Sequence, residues 1–349
     1  MTKSYYERLF FPVLKHLDPE TAHDRTLMAL SLAQSNPAGR RALKAIAGHV
    51  PVRPVQVGSL LFPNPIGVAA GFDKDVRVVA GLALLGFGHI EVGTLTPRPQ
   101  SGNPRPRVFR LPADGGVINR MGFPNGGVEA AAARLRALPA ERDYVVGVSL
   151  GKQKETSLEE AAEDYAAVMR AVYAYADYLA VNISSPNTPG LRELQGGRYL
   201  DDLLRALASE NSRLAATDGQ HPKPLWVKIA PDLDLSELDE ILDTVLGTGI
   251  DGIIIANTTL RRDSLVEKAR TETGGLSGRP LRQRSTELIA YVHRITGGAL
   301  PIIGVGGVDS AAAAREKLDA GAAVVQLYTG MIYGGPGIAG RILRDLTAS

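Results

Sequence analysis

The sequence predicts a (β/α)8 TIM barrel with a small helical extension at its N-terminus. Three observations predict it. Eight short β-rich runs alternate with helical patterns, the 349 residues suit one such domain, and no G-x-G-x-x-G follows the first run. The barrel is assigned to residues 48–349, and residues 1–47 form the extension.

The extension reads as two helices. Tyr5, Tyr6, Leu9, Phe10, Val13, Leu14 and Leu17 recur at helical spacing and give one apolar face. Asp18-Pro19 then supplies an N-cap and a first-turn proline for a second helix carrying Ala22, Leu27, Leu30 and Leu32. Seven basic residues stand against four acidic ones here. Such helices either pack on the main domain or lie on an anionic membrane.

After a Pro- and Val-rich connector over Gly48–Gly58, the strands are expected at Ile66–Ala70, His89–Leu95, Tyr144–Leu150, Tyr178–Ser184, Leu225–Ala230, Gly252–Thr258, Pro301–Gly306 and Ala322–Tyr328. Helical patterns separate them at Val76–Leu85, Val128–Leu138, Leu158–Tyr175, Asp201–Ala216, Leu235–Leu246, Leu281–Thr296 and Ser310–Ala320, and a last one covers Gly337–Leu346. Ser157 with Glu160 has the form of a capping box, and Asp309 is placed to cap the helix after strand seven. Hairpin-like pieces around Val57–Phe62 and Val108–Ile118 interrupt the rhythm and are expected to cover barrel ends.

Composition excludes several chemistries. Net charge is +2, which gives no reason to expect nucleic acid as a partner. The absence of cysteine removes disulfides, iron–sulfur clusters, thiolate metal sites and a cysteine nucleophile. No apolar run approaches the roughly 18 residues that span a bilayer, and the N-terminus lacks the features of a signal peptide, so the bulk of the chain is expected in the cytoplasm.

In this fold the active site lies past the C-terminal ends of the strands. Those positions hold Ala70-Gly71-Phe72-Asp73-Lys74, Thr94, Ser149, Asn182 to Thr188, Lys228, Asn257-Thr258, Gly304 to Gly307 and Tyr328-Thr329-Gly330. Amides, hydroxyls and lysines recur there, with no His cluster or acidic pair, which argues against a metal and against two-carboxylate hydrolysis. Glycines after strands seven and eight match the usual phosphate position of the fold. A phosphorylated planar cofactor fits both features, and FMN is the obvious candidate. Lys228, alone in an apolar strand, suits a Schiff base, a partner for cofactor charge or a structural ion pair.

Nine segments together resemble one family: AGFDKD, GTLTPRPQSGNPRPRVFR, INRMGFPN, VNISSPNTPGLR, VKIAPDL, ANTT, GGLSGRPL, IIGVGG and QLYTG. They resemble the motif set of the quinone-linked class 2 dihydroorotate dehydrogenases, in order and over essentially the full length. Ser185 stands where the soluble class carries a catalytic cysteine. The resemblance implies oxidation of dihydroorotate to orotate in pyrimidine biosynthesis, with FMN as hydride acceptor and a membrane quinone as final acceptor. It implies Ser185 as general base and Thr188 with a water chain as proton relay. It implies FMN contacts from Ala70, Gly71, Phe72, Asp73, Lys74, Thr94, Ser149, Asn182, Lys228 and Ala256, and from Gly278, Gly307, Tyr328 and Thr329 around the phosphate. Dihydroorotate would meet Lys74, Asn119, Arg120, Met121, Gly122, Phe123, Asn182, Asn187, Asn257 and Thr258. His23 and Arg110 would line the quinone entry, and the N-terminal helices would dock peripherally on the cytoplasmic face of the cell membrane. One departure stands out: the class usually has Asn where this chain has Ser149, so a weaker but not abolished hold on the ligand is expected there.

Overall fold

The computed structural model describes residues 6–263, 265–266 and 271–348, and Tyr5 lies outside the described residues. All eight expected strands form, as Ile66–Val68, His89–Leu95, Val145–Leu150, Tyr178–Asn182, Leu225–Ile229, Gly252–Ile255, Ile302–Val305 and Val324–Leu327. Each pairs in parallel with the next in the chain, and the eighth pairs with the first, closing the barrel. Helices follow the strands in turn, at Val79–Leu84, Val128–Arg136, Ala161–Val172, Gly197–Asp218, Leu235–Gly247, Arg282–Ile295 and Ala311–Asp319, with Thr329–Gly334 and Ile338–Thr347 after the last.

Strand alternation builds two cores. Ile90, Val92, Val146, Val148, Ile253 and Ile255 face outward and pack under the helices. Ala180, Trp226, Tyr178, Ile254, Ile303 and Val324 fill the barrel. Three glycines make room for the large inward rings. Gly67, Gly147 and Gly252 lie in register beside His89, Tyr178 and Trp226, and a Cβ on any of them would collide with that neighbouring ring. An antiparallel hairpin, Val55–Val57 with Leu60–Phe62, closes the N-terminal end, with the Phe62 ring edge-on to His89 at 5.0 Å.

At the other end, Val108–Leu111 and Gly116–Asn119 form the second expected hairpin, and Gly275–Gly278 joins it as a third antiparallel strand. The sequence offers no strand signal at Gly-Leu-Ser-Gly, because pairing there comes from a partner over 150 residues away rather than from side-chain propensity.

The extension departs from expectation in its count. It holds a helical turn at Tyr6–Phe10 continued by Phe11–Leu14, then Pro19–Gln34, then a further helix Pro37–Ala47. Asp18 caps the second segment by accepting from the Thr21 N–H at 2.8 Å, as expected. Asn36 repeats the device, accepting from the Gly39 N–H ahead of Pro37, and this splits the expected second helix from its continuation. Leu27, Leu30 and Leu43 are buried, whereas Leu9, Phe10, Val13, Met28 and Leu32 are exposed. No helix of the described residues is long and apolar enough to cross a membrane. Two smaller expectations also shift. Ser310, not Asp309, caps Ala311–Asp319, because Asp309 is engaged by Arg279 at 2.5 Å. Ser157 and Glu160 do bond to each other, but one turn ahead of a helix that begins at Ala161.

Candidate active site

The C-terminal ends of the strands surround a cavity that holds about 1010 Å³ of empty space out to its mouth. Its small-residue wall, Ala69-Ala70-Gly71, follows the first strand. Gly306 and Gly307 after strand seven, and Thr329 and Gly330 after strand eight, line one end. Their backbone N–H groups donate to nothing else among the described residues, which suits an anionic group such as a phosphate. Asn119, Asn187, Asn257 and Thr258 also line the cavity, with Ser185 and Lys74.

A continuous hydrogen-bond chain orders its polar wall. Ser149 Oγ and Thr94 Oγ1 lie 2.8 Å apart, and Asn182 Nδ2 donates to Thr94 Oγ1 at 2.8 Å. Asn182 Oδ1 accepts from Ser184 Oγ at 3.0 Å and from Asn257 Nδ2 at 3.3 Å. Asn187 donates from Nδ2 to Asn119 Oδ1 at 3.3 Å, and its backbone N–H donates to Ser185 Oγ at 3.2 Å. Thr258 Oγ1 is buried without a partner among the described residues, as is Gln326 Oε1. Buried polar atoms of this kind are rare and mark where a ligand or water completes the network.

The Lys74 ammonium makes no hydrogen bond or ion pair among the described residues. Burial lowers it to about 8, against the opposing pull of Glu20, Asp75 and Asp24. Lys228, open to both a catalytic and a structural reading in the sequence, donates to Glu91 Oε1 at 3.1 Å while lining the cavity. The ion pair therefore exists, and its cation still reaches the site. Above it, Phe123 adopts a left-handed φ of +52°, a conformation that costs about 1–3 kcal/mol and persists only where its surroundings enforce it.

Several residues expected at the site stand back from its wall. Phe72 is buried edge-on between His23 and Tyr328. Asp73 accepts the Arg77 and Val78 N–H groups at 2.7 Å each, a structural duty beneath the loop. Ser149 is fully buried behind Thr94. Thr188 is buried too, and its hydroxyl has no partner among the described residues. Arg120 turns outward to Glu272 at 2.7 Å, with its guanidinium over Phe109. His23 and Arg110 lie outside the cavity, at the seam with the extension. Arg110 donates to the Leu17 carbonyl at 2.8 Å, and burial, with Lys74 nearby, lowers His23 to about 3, so its imidazole is neutral. Sequence reasoning missed Glu91, Tyr178 and Gln326. Gln326 is the single polar residue of its apolar strand, the signal that did expose Lys228, whereas Glu91 shares its strand with His89 and Thr94, and Tyr178 opens a strand that ends in Asn182.

Relatives share this architecture. The family model for dihydroorotate dehydrogenase matches residues 54–349. The chain belongs to the dihydroorotate dehydrogenase family. A dihydroorotate dehydrogenase (quinone) of Acidithiobacillus ferrooxidans is 50% identical over 341 residues, covering 97% of this chain and 93% of that protein. One of Roseiflexus is 49% identical, covering 99% and 94%. The crystal structure of DHODH from Eimeria tenella in complex with ferulenol has a TM-score of 0.83 at 38% identity, covering 94% of this chain and 90% of that one. The ligand-free form gives 0.83 at 40%, with 94% of each chain covered. The family oxidises dihydroorotate to orotate in pyrimidine biosynthesis, and its members are flavin-dependent in general.

The matched family region begins after Glu20, yet Glu20 is wired into it. Its carboxylate pairs with Arg107 at 2.6 Å and Arg105 at 3.1 Å, and the Arg107 and Glu20 side chains are only 7% and 9% exposed. Arg107 also donates to the Ser101 and Asn103 carbonyls, and Asn103 Nδ2 reaches the Asn187 carbonyl at 3.0 Å. The loop above the cavity is thus tied to the extension through Glu20, which both Arg107 and Arg105 engage. Glu20→Gln leaves Arg107 buried without its counter-ion and is expected to lower unfolding free energy by about 3 kcal/mol. Urea unfolding measures this; a loss under about 1 kcal/mol would mean that water screens the pair.

Proposed function

We infer that this chain is an FMN-dependent oxidoreductase that oxidises (S)-dihydroorotate to orotate and passes the electrons to a quinone. One observation carries the reading: a single cavity joins free backbone N–H groups at one end to Lys74 and convergent amides at the other, across Lys228. The first end suits the phosphate of FMN, with Gly278, Gly307, Tyr328 and Thr329 around it. Ala70, Gly71, Thr94, Asn182 and Ala256 suit its ring. The second end suits a small cyclic diamide bearing a carboxylate. Lys74 would face that carboxylate, and Asn119, Asn187, Asn257 and Thr258 the ring's polar edges, beneath Met121, Gly122 and Phe123.

Bound flavin supplies the hydride acceptor, and the chain's residues supply orientation and proton handling. Dihydroorotate loses a hydride from C6 and a proton from C5. Ser185 would take that proton. Its Oγ accepts the Asn187 N–H, which leaves the hydroxyl proton free to move onward as the new one arrives. A serine hydroxyl is a poor base without such an outlet. Thr188, buried and without a partner among the described residues, is the hydroxyl that a bridging water could connect to it. Phe72, Asp73, Ser149 and Arg120 would then support these groups from behind rather than touch a ligand.

The extension, residues 1–47, would deliver the quinone between its helices and the barrel, past neutral His23 and Arg110. Exposed Leu9, Phe10, Val13, Met28 and Leu32 on a basic segment support peripheral docking on the cytoplasmic face of the membrane.

Three measurements test this. Anaerobic addition of dihydroorotate is expected to bleach the flavin absorbance of the protein, and Ser185→Ala is expected to slow that reduction by about 10²–10⁴-fold while still holding flavin. Protein that binds added FMN but is never bleached would refute the reaction. Lys74 is cationic below about 8 and neutral above, so KM for dihydroorotate should climb as pH rises from 7 to 9. Lys74→Arg should flatten that climb, since a guanidinium keeps its charge. Finally, anionic vesicles should sediment the protein, and Leu9→Ser with Phe10→Ser and Val13→Ser should leave it in the supernatant. Equal sedimentation of both would remove the docking role.

A further inference from the structure

We propose that Glu91 is a positioning residue for the cavity floor, holding the Lys228 ammonium in place and turning the Gln326 carbonyl oxygen toward the ligand. The inference rests on the flavin reading above. Glu91 is fully buried in the second barrel strand and is not part of the cavity wall, whereas Lys228 and Gln326 are. Every contact to its carboxylate comes from a donor on another strand. Lys228 Nζ donates to Oε1 at 3.1 Å. Tyr178 Oη and Gln326 Nε2 both donate to Oε2, each at 3.0 Å. Gln326 Nε2 also lies 3.2 Å from the Tyr178 oxygen.

A carboxylate can only accept, and that settles the polarity of the whole cluster. The Tyr178 proton is committed to Glu91, so its oxygen accepts from Gln326. The Gln326 NH₂ group must face Glu91, so its carbonyl oxygen points the other way. That oxygen is the buried, unpartnered acceptor already noted. The floor therefore offers a ligand one cationic donor, from strand five, and one acceptor, from strand eight. A flavin's pyrimidine end, which carries both carbonyls and a ring N–H, matches that pair of demands.

The charge argument is independent of the polarity argument. Burial alone would raise the Glu91 carboxyl, but Lys228, Gln326 and Tyr178 outweigh it and hold the group below the ordinary carboxylate range. The pair is thus an ion pair with no net charge. Removing the carboxylate would leave the Lys228 ammonium, which lines the cavity, to take its counter-charge from the cofactor, and so would favour the reduced, more electron-rich form. Removing Lys228 instead would leave a buried carboxylate with no counter-ion, which takes up a proton and becomes neutral. Glu91 should therefore act through Lys228 and be silent without it.

The test is the midpoint potential of bound flavin in the full-length protein, read by anaerobic titration against a reference dye. Glu91→Gln is expected to raise it by about 30 mV, a tenfold gain in affinity for reduced over oxidised flavin. In a Lys228→Met background the same change should alter that ratio less than about twofold. An equal shift in both backgrounds, or none in either, overturns the assignment. If Glu91→Gln alone fails to fold, Lys228→Met and the double variant still decide, since removing both members of a buried pair is often tolerated. Potentials of those two variants that match each other but differ from wild type support the proposal, and potentials that differ from each other, or that all equal wild type, overturn it. Wild-type protein that binds no flavin would defeat the function and this inference together, whereas bound flavin with an unmoved potential defeats only the latter.

Discussion

Eight strands closed into a ring leave an interior about as wide as the side chains that must fill it, and nearly everything else in this protein answers to that limit. Any inward residue must either pack against its neighbours or find a hydrogen-bonding partner across the ring. The lower part takes the first option, with His89, Tyr178 and Trp226 packed over the Phe62 plug. The upper part takes the second, where Glu91, Lys228 and Gln326 from three strands meet the Tyr178 hydroxyl. Tyr178 belongs to both layers, its ring in the apolar one and its oxygen in the polar one.

That boundary explains the chemistry the site can support. Polar groups fixed by a rigid barrel need no reorganisation when a ligand arrives, and in a dry interior they act more strongly than they would in water. The Ser149–Thr94–Asn182–Asn257 chain does for the wall what the Glu91 cluster does for the floor. The loop above is held differently, by Arg107 and Glu20 at the seam with the extension.

The barrel was legible because its signals are local. Apolar runs of strand length alternate with helical periodicity, and the strand-end rule then points to Lys74, Asn182, Ser185, Lys228 and Asn257, which all reach the cavity. What stayed hidden depends on three-dimensional relations. Gly275–Gly278 is a strand only because a distant hairpin offers it an edge. Asp73 and Thr188 adjoin lining residues in the sequence, and Ser149 bonds to the lining Thr94, yet side-chain direction puts all three behind the wall. Glu91 was readable in principle. Ile90 and Val92 face the helices, so the acid between them must face the barrel interior, where a lysine from another strand needs a counter-charge. It lies in the middle of its strand, where the strand-end rule does not point. The break at Asn36-Pro37 is equally legible, since it copies the Asp18-Pro19 device.

The glycine-and-ring pairs inside the barrel carry a consequence for how such a chain can change over generations. Gly67 and His89, Gly147 and Tyr178, and Gly252 and Trp226 share volume across neighbouring strands, so neither member can drift alone. Enlarging the glycine first produces a collision, and shrinking the ring first produces a void. The route from one arrangement to another passes through a less stable ancestor whichever step comes first. Lineages are therefore expected to keep these pairs intact or to exchange both partners together.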